Sequence, residues 1–513
     1  MSAVGMGSLI ALGTLLSVAS GNAILGALAV AGLLLGSAVV VWLWASPGRG
    51  VYVIYAAAVL LPEYYRSDLP DYVGRYLPYF PDLKQWTPIS VAFSINEIFI
   101  VLVFAIWLLK GVADRRLRFD RGSLMLPLGL YGLMVVVGEI HGLTSGGDYR
   151  ISLWEVRGQA YMLVAYVLTC NLIHTRRQVW TLVWILVLGS GLRGVEGLIR
   201  YVIQRGSNAQ ELYPHEQSFF FNGFLTLALV LFIYKGPRRM RPIVLGLLPF
   251  VLVANLANGR RAAVFAFFVA VFTLFLITWV IQPERRRVIL LILLGLAIVF
   301  PPYYLAFRNS TSTYALPARS VSTIFNPRPR DADSDQYRAT EDADILFTMK
   351  TNPVIGYGFG KPMLLPYHLP NISQIYVFWN IMPHNSILWI WMRLGTIGYL
   401  LLWLLFGTAI VQSTDLARRM RDPRLQGLAV LIALLIVEQV IYAYLDLQWS
   451  NWRNLISSGV LFALISRLAL VNQSEDEHEE SDELPTKRAP SSPGPVQLAV
   501  VDGRLKTLAG TPQ

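Results

Sequence analysis

Apolar runs long enough to cross about 30 Å of hydrocarbon recur along nearly the whole of this 513-residue chain. That recurrence constrains the fold more than any motif does. Charged residues make up only 15% of the chain, where a soluble globular protein carries roughly 25%. The expected fold is an all-α polytopic membrane protein. About fourteen segments are expected, at 7–20, 23–44, 50–63, 95–111, 123–143, 156–173, 178–203, 218–235, 241–257, 261–281, 287–306, 385–413, 425–446 and 452–470. The range is twelve to fourteen, because Gly21-Asn22 is a weak turn and 50–63 is short for a full crossing. The opening MSAVGMGSLI lacks the basic region of a cleavable signal, so 7–20 reads as a retained helix.

Basic residues set the expected orientation. The net charge of +11 sits in short clusters between apolar runs, a distribution that marks topology and not nucleic-acid binding. Lys110, Arg115, Arg116, Arg118 and Arg121 form one cluster; Arg176-Arg177 and the basic residues of 235–241, 285–287 and 418–424 follow at alternate loops. All fall on one side, expected to be cytoplasmic together with both termini. The periplasmic face then receives 63–94, 141–155, 206–217, 307–383 and a short turn near 448–451. The chain divides into a bundle of about eleven helices at 1–306, a loop domain at 307–384, about three helices at 385–470, and a tail at 471–513. The tail's SEDEHEESDE and its Pro/Ser stretch cannot bury a core and read as disordered. One cysteine, Cys170, permits no intrachain disulfide. No internal repeat is evident, which counts against transporters built from duplicated halves.

The polar interlude at 307–385, a cap on the membrane surface, is larger than a chain that only spans or conducts would need. It holds Asp331, Asp333, Asp335, Arg338, Glu341, Asp342 and Asp344, then NPVIGYGFGKP, and closes on Pro383-His384-Asn385. The glycines of GYGFG suggest a tight turn with close backbone approach; their spacing is not that of a nucleotide loop. No clean Ca²⁺ loop appears among the acids, and no metal or cofactor is indicated. A histidine beside a hydroxyl or phosphate can move a proton near neutral pH, which makes His384 the candidate catalytic residue. Asn385 is the expected N-cap of the next helix.

Arg260-Arg261, in LANGRRAAVFAFF, sit at the helix end where positive-inside placement would not put them. An ionisable residue at membrane depth costs at least a few kcal/mol and usually marks a function or an ion pair; snorkelling is the plain alternative. Arg193 and Arg200 lie seven residues apart on one helical face, with Glu196 between them. Arg193 is read either as an internal pair with Glu196 or as an anion ligand. Glu97, Glu139, Glu155, Glu438 and Asp446, in or beside apolar runs, are read first as charge partners.

Three stretches resemble the O-antigen ligase / O-antigen polymerase superfamily of bacterial envelope glycosyltransferases: GRRAAVFAFF, DQYRATEDADILFTMKTNPVIGYGFGKP and PHNSILWIWMRLGTIGYLLLW, in that order over roughly 255–415. The resemblance implies a cofactor-free, metal-independent transferase of type-C membrane architecture in the bacterial inner membrane. It would move a glycan from an undecaprenyl-diphosphate carrier to a glycan or lipid A–core acceptor at the periplasmic face. His384 takes the family's loop-end histidine. Arg260 or Arg261 takes the helix-start arginine; the doubling departs from the usual single residue, and Arg261, followed by Ala-Ala, aligns more naturally. Arg338 matches the loop arginine, and Arg193 an arginine on an earlier helix. These four arginines are the implied diphosphate ligands. Implied partners are the lipid-linked oligosaccharide, membrane lipids, and flippase and chain-length regulator proteins. The motifs do not separate ligase, polymerase and protein O-oligosaccharyltransferase. A transporter or flippase of lipid-linked glycans is the reading from another class.

Overall fold

The computed structural model describes residues 23–63, 79–83, 93–204, 212–374, 376–483, 498–501 and 504–507. Its helices run α1 (Ala23–Ala45), α2 (Gly48–Leu60), α3 (Ile95–Ala113), α4 (Met125–Thr144), α5 (Tyr149–Leu172), α6 (Arg176–Ile203), α7 (Gln217–Ile233), α8 (Met240–Ala257), α9 (Arg261–Ile281) and α10 (Arg286–Phe307). Two cap helices follow, α11 (Leu316–Phe325) and α12 (Pro329–Lys350), then α13 (Ser386–Arg419), α14 (Pro423–Leu445) and α15 (Trp452–Glu483). A short antiparallel hairpin, β1 (Leu498–Val501) with β2 (Arg504–Thr507), lies in the tail.

Each expected segment from 23–44 onward coincides with a helix; the segment at 7–20 lies outside the described residues. Among the described residues nine helices are long and apolar enough to cross a membrane, or up to ten with one bent pair. The chain is a multi-pass membrane protein. The distance from the expected fourteen has visible causes. The 50–63 segment forms α2, which bends by 117° from the end of α1, so the two make one broken span or a re-entrant loop, not two crossings. α7 has 17 residues, and α5 carries Arg150, Glu155 and Arg157 in its first half.

α14 and α15 form the centre of the bundle, and α10 lies outermost with Ile289 its buried residue. Leucines and valines along α10 are exposed, the surface a helix presents to lipid rather than to protein. α15 packs most closely on α5. Gly459 makes this approach: a Cβ there would stand 2.3 Å from the Met162 carbonyl oxygen. Small residues at such a seam replace the hydrophobic driving force that lipid removes. Polar side chains fix where helices begin. Ser94 with Glu97, and Thr175 with Gln178, form capping boxes for α3 and α6, each satisfying amide donors that the helix leaves open.

The cap is clamped to the bundle by the GYGFG loop. Gly356, Gly358 and Gly360 all have positive φ, at 86°, 82° and 81°. The expected close approach is present: the amides of Tyr357 and Gly358 donate to the carbonyls of Met392 and Arg393. Those carbonyls are accessible because α13 is broken at Gly395, with φ 64° and ψ −171°. On the loop's other side, the Phe359 amide donates to Gly138 of α4, and the Asp148 amide donates to Gly360. Gly356→Ala would put a Cβ 2.3 Å from the Arg393 carbonyl oxygen, in a backbone region that side chains avoid. The variant is expected to lose more than about 1 kcal/mol, read as a lowered thermal midpoint of the detergent-purified protein. An unchanged midpoint would mean that this loop does not clamp the cap.

Candidate functional site

α12 organises the site. Proline at its first turn is preset for helix, while Asp331 in the first turn and Lys350 in the last complement the helix dipole. Two adjoining stripes run along it at helical spacing. Tyr337, Glu341, Asp344 and Thr348 make one, and the last three are buried. Asp331, Asp335, Arg338 and Asp342 make the other.

His384 meets the first stripe. Glu341, 1% exposed, accepts from the His384 backbone amide at 2.9 Å and lies 3.1 Å from its Nδ1. One carboxylate thus holds both the backbone and the ring, leaving Nε2 as the ring's unclaimed edge. Tyr337 packs edge-on against the imidazole, with centroids 5.9 Å apart. Next in sequence, Asn385 caps α13, its side chain accepting from the Leu388 amide at 3.1 Å, and donates to Asp342 at 3.4 Å. Burial, with Glu341 nearby, pushes the Asp342 carboxyl up to about 6 despite its Asn385 bond and the positive charge of Arg338.

A second centre adjoins this one at the turn between α14 and α15. The Ser386 hydroxyl donates to the Asp446 carbonyl at 3.2 Å, which ties the start of α13 to that turn. Asp446 is buried and stands 2.6 Å from Nδ1 of His215. Burial would raise its carboxyl, but His215, Arg338 and Arg260 together hold it below the usual range. Arg338 of the cap and Arg260 at the start of α9 therefore converge electrostatically on one carboxylate. Close by, the buried Arg453 reaches Gln217 at 2.8 Å and Glu216 at 3.4 Å. Among the described residues no group of three His, Cys, Asp or Glu side chains is arranged to hold a metal ion.

The residues expected from sequence divide in three. His384, Arg338 and Arg260 belong to the joined centres above. Arg261 lies on their rim, paired with Asp335 at 2.9 Å and with Asp331 at 3.6 Å. Arg193 is buried in a network of its own: it reaches Glu196 at 2.6 Å, which also takes Arg200 at 2.8 Å. The Tyr213 ring lies against both guanidiniums. Of the two readings left open for Arg193, the internal pair is present. Of the other acids read as charge partners, buried Glu155 pairs with Arg393 and half-buried Glu97 with Arg157; Glu438 instead accepts from the neutral Thr226 hydroxyl, and among the described residues no cation pairs with Glu139. Sequence reasoning gave no role to Glu341, Tyr337 or His215. Glu341 and His384 are 43 residues apart, and no motif spacing relates them; the stripe Tyr337, Glu341, Asp344, Thr348 was the only available signal.

Residues 244–403 match the family model described as O-antigen ligase. That region, under a third of the chain, is similar to the O-antigen ligase family, which supports the resemblance seen in the sequence. It runs from α8 into α13 and contains Arg260, Arg261, Arg338, Glu341 and His384, whereas Arg193, His215 and Asp446 lie outside it. No curated protein matches the chain.

Asp342 provides a test of the electrostatics of this region. Its folded carboxyl, at about 6, holds a proton to higher pH than the unfolded aspartate at 3.8. Its contribution to stability is therefore complete below 3.8 and lost as pH rises through about 6. Asp342→Asn removes the titration. The thermal midpoint of the variant relative to the parent is expected to rise between about pH 4 and about pH 7, a window spanning both the unfolded and the folded values. A difference independent of pH would contradict the burial described for Asp342.

Proposed function

We propose that this chain is a membrane glycosyltransferase in surface-polysaccharide biosynthesis. It would transfer or polymerise glycans carried on undecaprenyl diphosphate, at the periplasmic face and without a metal ion. The observation that carries this reading is the family match over the segment that seats His384 against Glu341. The orientation rests on the arginine clusters of alternate loops, which positive-inside placement assigns to the cytoplasm.

The acceptor hydroxyl attacks the anomeric carbon of the lipid-linked sugar. A new C–O bond forms there as the bond to the diphosphate oxygen breaks, and its electron pair leaves with the diphosphate. Attack opposite the leaving group inverts the configuration. The hydroxyl proton passes to Nε2 of His384, whose other nitrogen is oriented by Glu341, an arrangement that fixes the tautomer and strengthens the base. Glu341 is a positioning residue. Guanidiniums grip phosphate oxygens in bidentate fashion and can stabilise the departing charge where no metal does. Arg338 and Arg260 are the best placed for this. Arg261 adds a third guanidinium at the rim once the diphosphate competes with Asp331 and Asp335. Arg193 contributes through its pair with Glu196, as support behind the site.

Purified protein with an undecaprenyl-diphosphate oligosaccharide, with and without lipid A–core, separates the acceptors. A ladder without lipid A–core means polymerase, and a single transfer requiring it means ligase. Substrate flux in vesicles with no new glycosidic bond would instead mean a transporter. His384→Ala is expected to lower transfer by about 10²–10⁴, with a smaller loss in Glu341→Gln that falls on kcat. Normal product from both His384→Ala and Arg338→Ala, at normal protein levels, would refute the transferase.

A further inference from the structure

The bundle carries a strongly basic concavity at the end opposite the cap, which the transferase reading does not use. It is a cavity of about 550 Å³ lined by Arg176, Arg177, Trp180, Trp184, Pro237, Arg238, Arg239 and Arg424. Three separate parts of the chain supply its arginines: the start of α6, the α7–α8 loop and the start of α14. Arg176 pairs with Asp422. Among the described residues no carboxylate pairs with Arg177, Arg238, Arg239 or Arg424. Four of the five guanidiniums thus have no carboxylate partner among the described residues.

The walls say at what depth this charge sits. Trp180 and Trp184 lie one helical turn apart on α6, on the face shared with Arg176 and Arg177. Both are half-buried. Tryptophan collects at the level of lipid headgroups, where an amphipathic ring has one side in hydrocarbon and the other in water. A cluster needed only for topology has no reason to be concave, to draw on three loops, or to be walled by indoles. A basic pocket between helices at this level has the chemistry of a phosphodiester headgroup site.

We propose that this cavity binds the headgroup of an anionic bilayer phospholipid. The guanidiniums hold the phosphate oxygens in bidentate fashion, and Trp180 and Trp184 border the glycerol and the first carbons of the chains. The lipid would bridge α6, α8 and α14 at that end, where the Arg176–Asp422 pair already links the starts of α6 and α14.

The test is titration of the detergent-purified full chain with phosphatidylglycerol, with phosphatidylcholine and with inorganic phosphate, followed by native mass spectrometry. Phosphatidylglycerol is expected to be retained and phosphatidylcholine lost. Arg238→Gln with Arg239→Gln is expected to weaken retention about thirtyfold, from two arginines near the headgroup plane. The control removes the same charge elsewhere at this end, by Arg115→Gln with Arg116→Gln, and should leave retention unchanged. Equal losses in both double variants would reduce the effect to general surface charge and overturn the proposal. Retention of inorganic phosphate as strong as that of the lipid would overturn the lipid assignment. Glycan transfer is not the readout, so failure here leaves the transferase reading standing.

Discussion

The buried contact between Glu155 and Arg393 supports everything else at the cap end of the bundle. The Glu155 carboxylate lies 2.7 Å from Arg393 Nε, accepts the Gly360 amide at 2.6 Å, and takes the Trp389 indole N–H at 3.1 Å. Arg393 in turn donates to the carbonyls of Gly358 and Ile381. One ion pair therefore joins α5, the GYGFG loop, the broken first part of α13 and the chain just before His384. Taking both charges out of water is expensive, and only such complete pairing repays it. Losing either partner would leave an uncompensated buried charge, at a cost of about 3–5 kcal/mol.

That framework explains how a single carboxylate can position His384. Ile381 is held by Arg393, Asn385 caps α13, and the residues between them have little freedom. Glu341 then needs only to fix the ring. A cap arginine, Arg338, and a membrane-edge arginine, Arg260, both act electrostatically on Asp446. On the transferase reading proposed above, an anionic ligand arriving there would meet positive charge already in place, so little reorganisation would be needed when charge develops.

Much of this was legible in the chain. Helix positions from 23 onward followed from apolar runs alone, because length and hydropathy decide what can cross a bilayer. The glycines of GYGFG announced a close backbone approach, and Asn385 announced a helix start. His384 stood out through its place at the end of a polar interlude. The status of Arg193 did not resolve from sequence, because one helical face offers both an internal acid at Glu196 and exposure to a ligand. Only the surrounding Tyr213 and Arg200 show which partner it takes. Glu341 was one of six acids in the cap, and nothing local set it apart.

The order of apolar and basic segments determined that the chain is helical, crosses the membrane many times and presents one large polar cap, since those features depend on local composition and on the bilayer. The tertiary structure decided which charges meet. It put Glu341 on His384, His215 on Asp446, Arg261 against Asp331 and Asp335, and five arginines around one cavity at the far end. Such pairings join residues tens to hundreds of positions apart. They depend on how helices pack and where they break, and an interaction that acts over a few ångströms leaves no periodicity in the sequence for a reader to find.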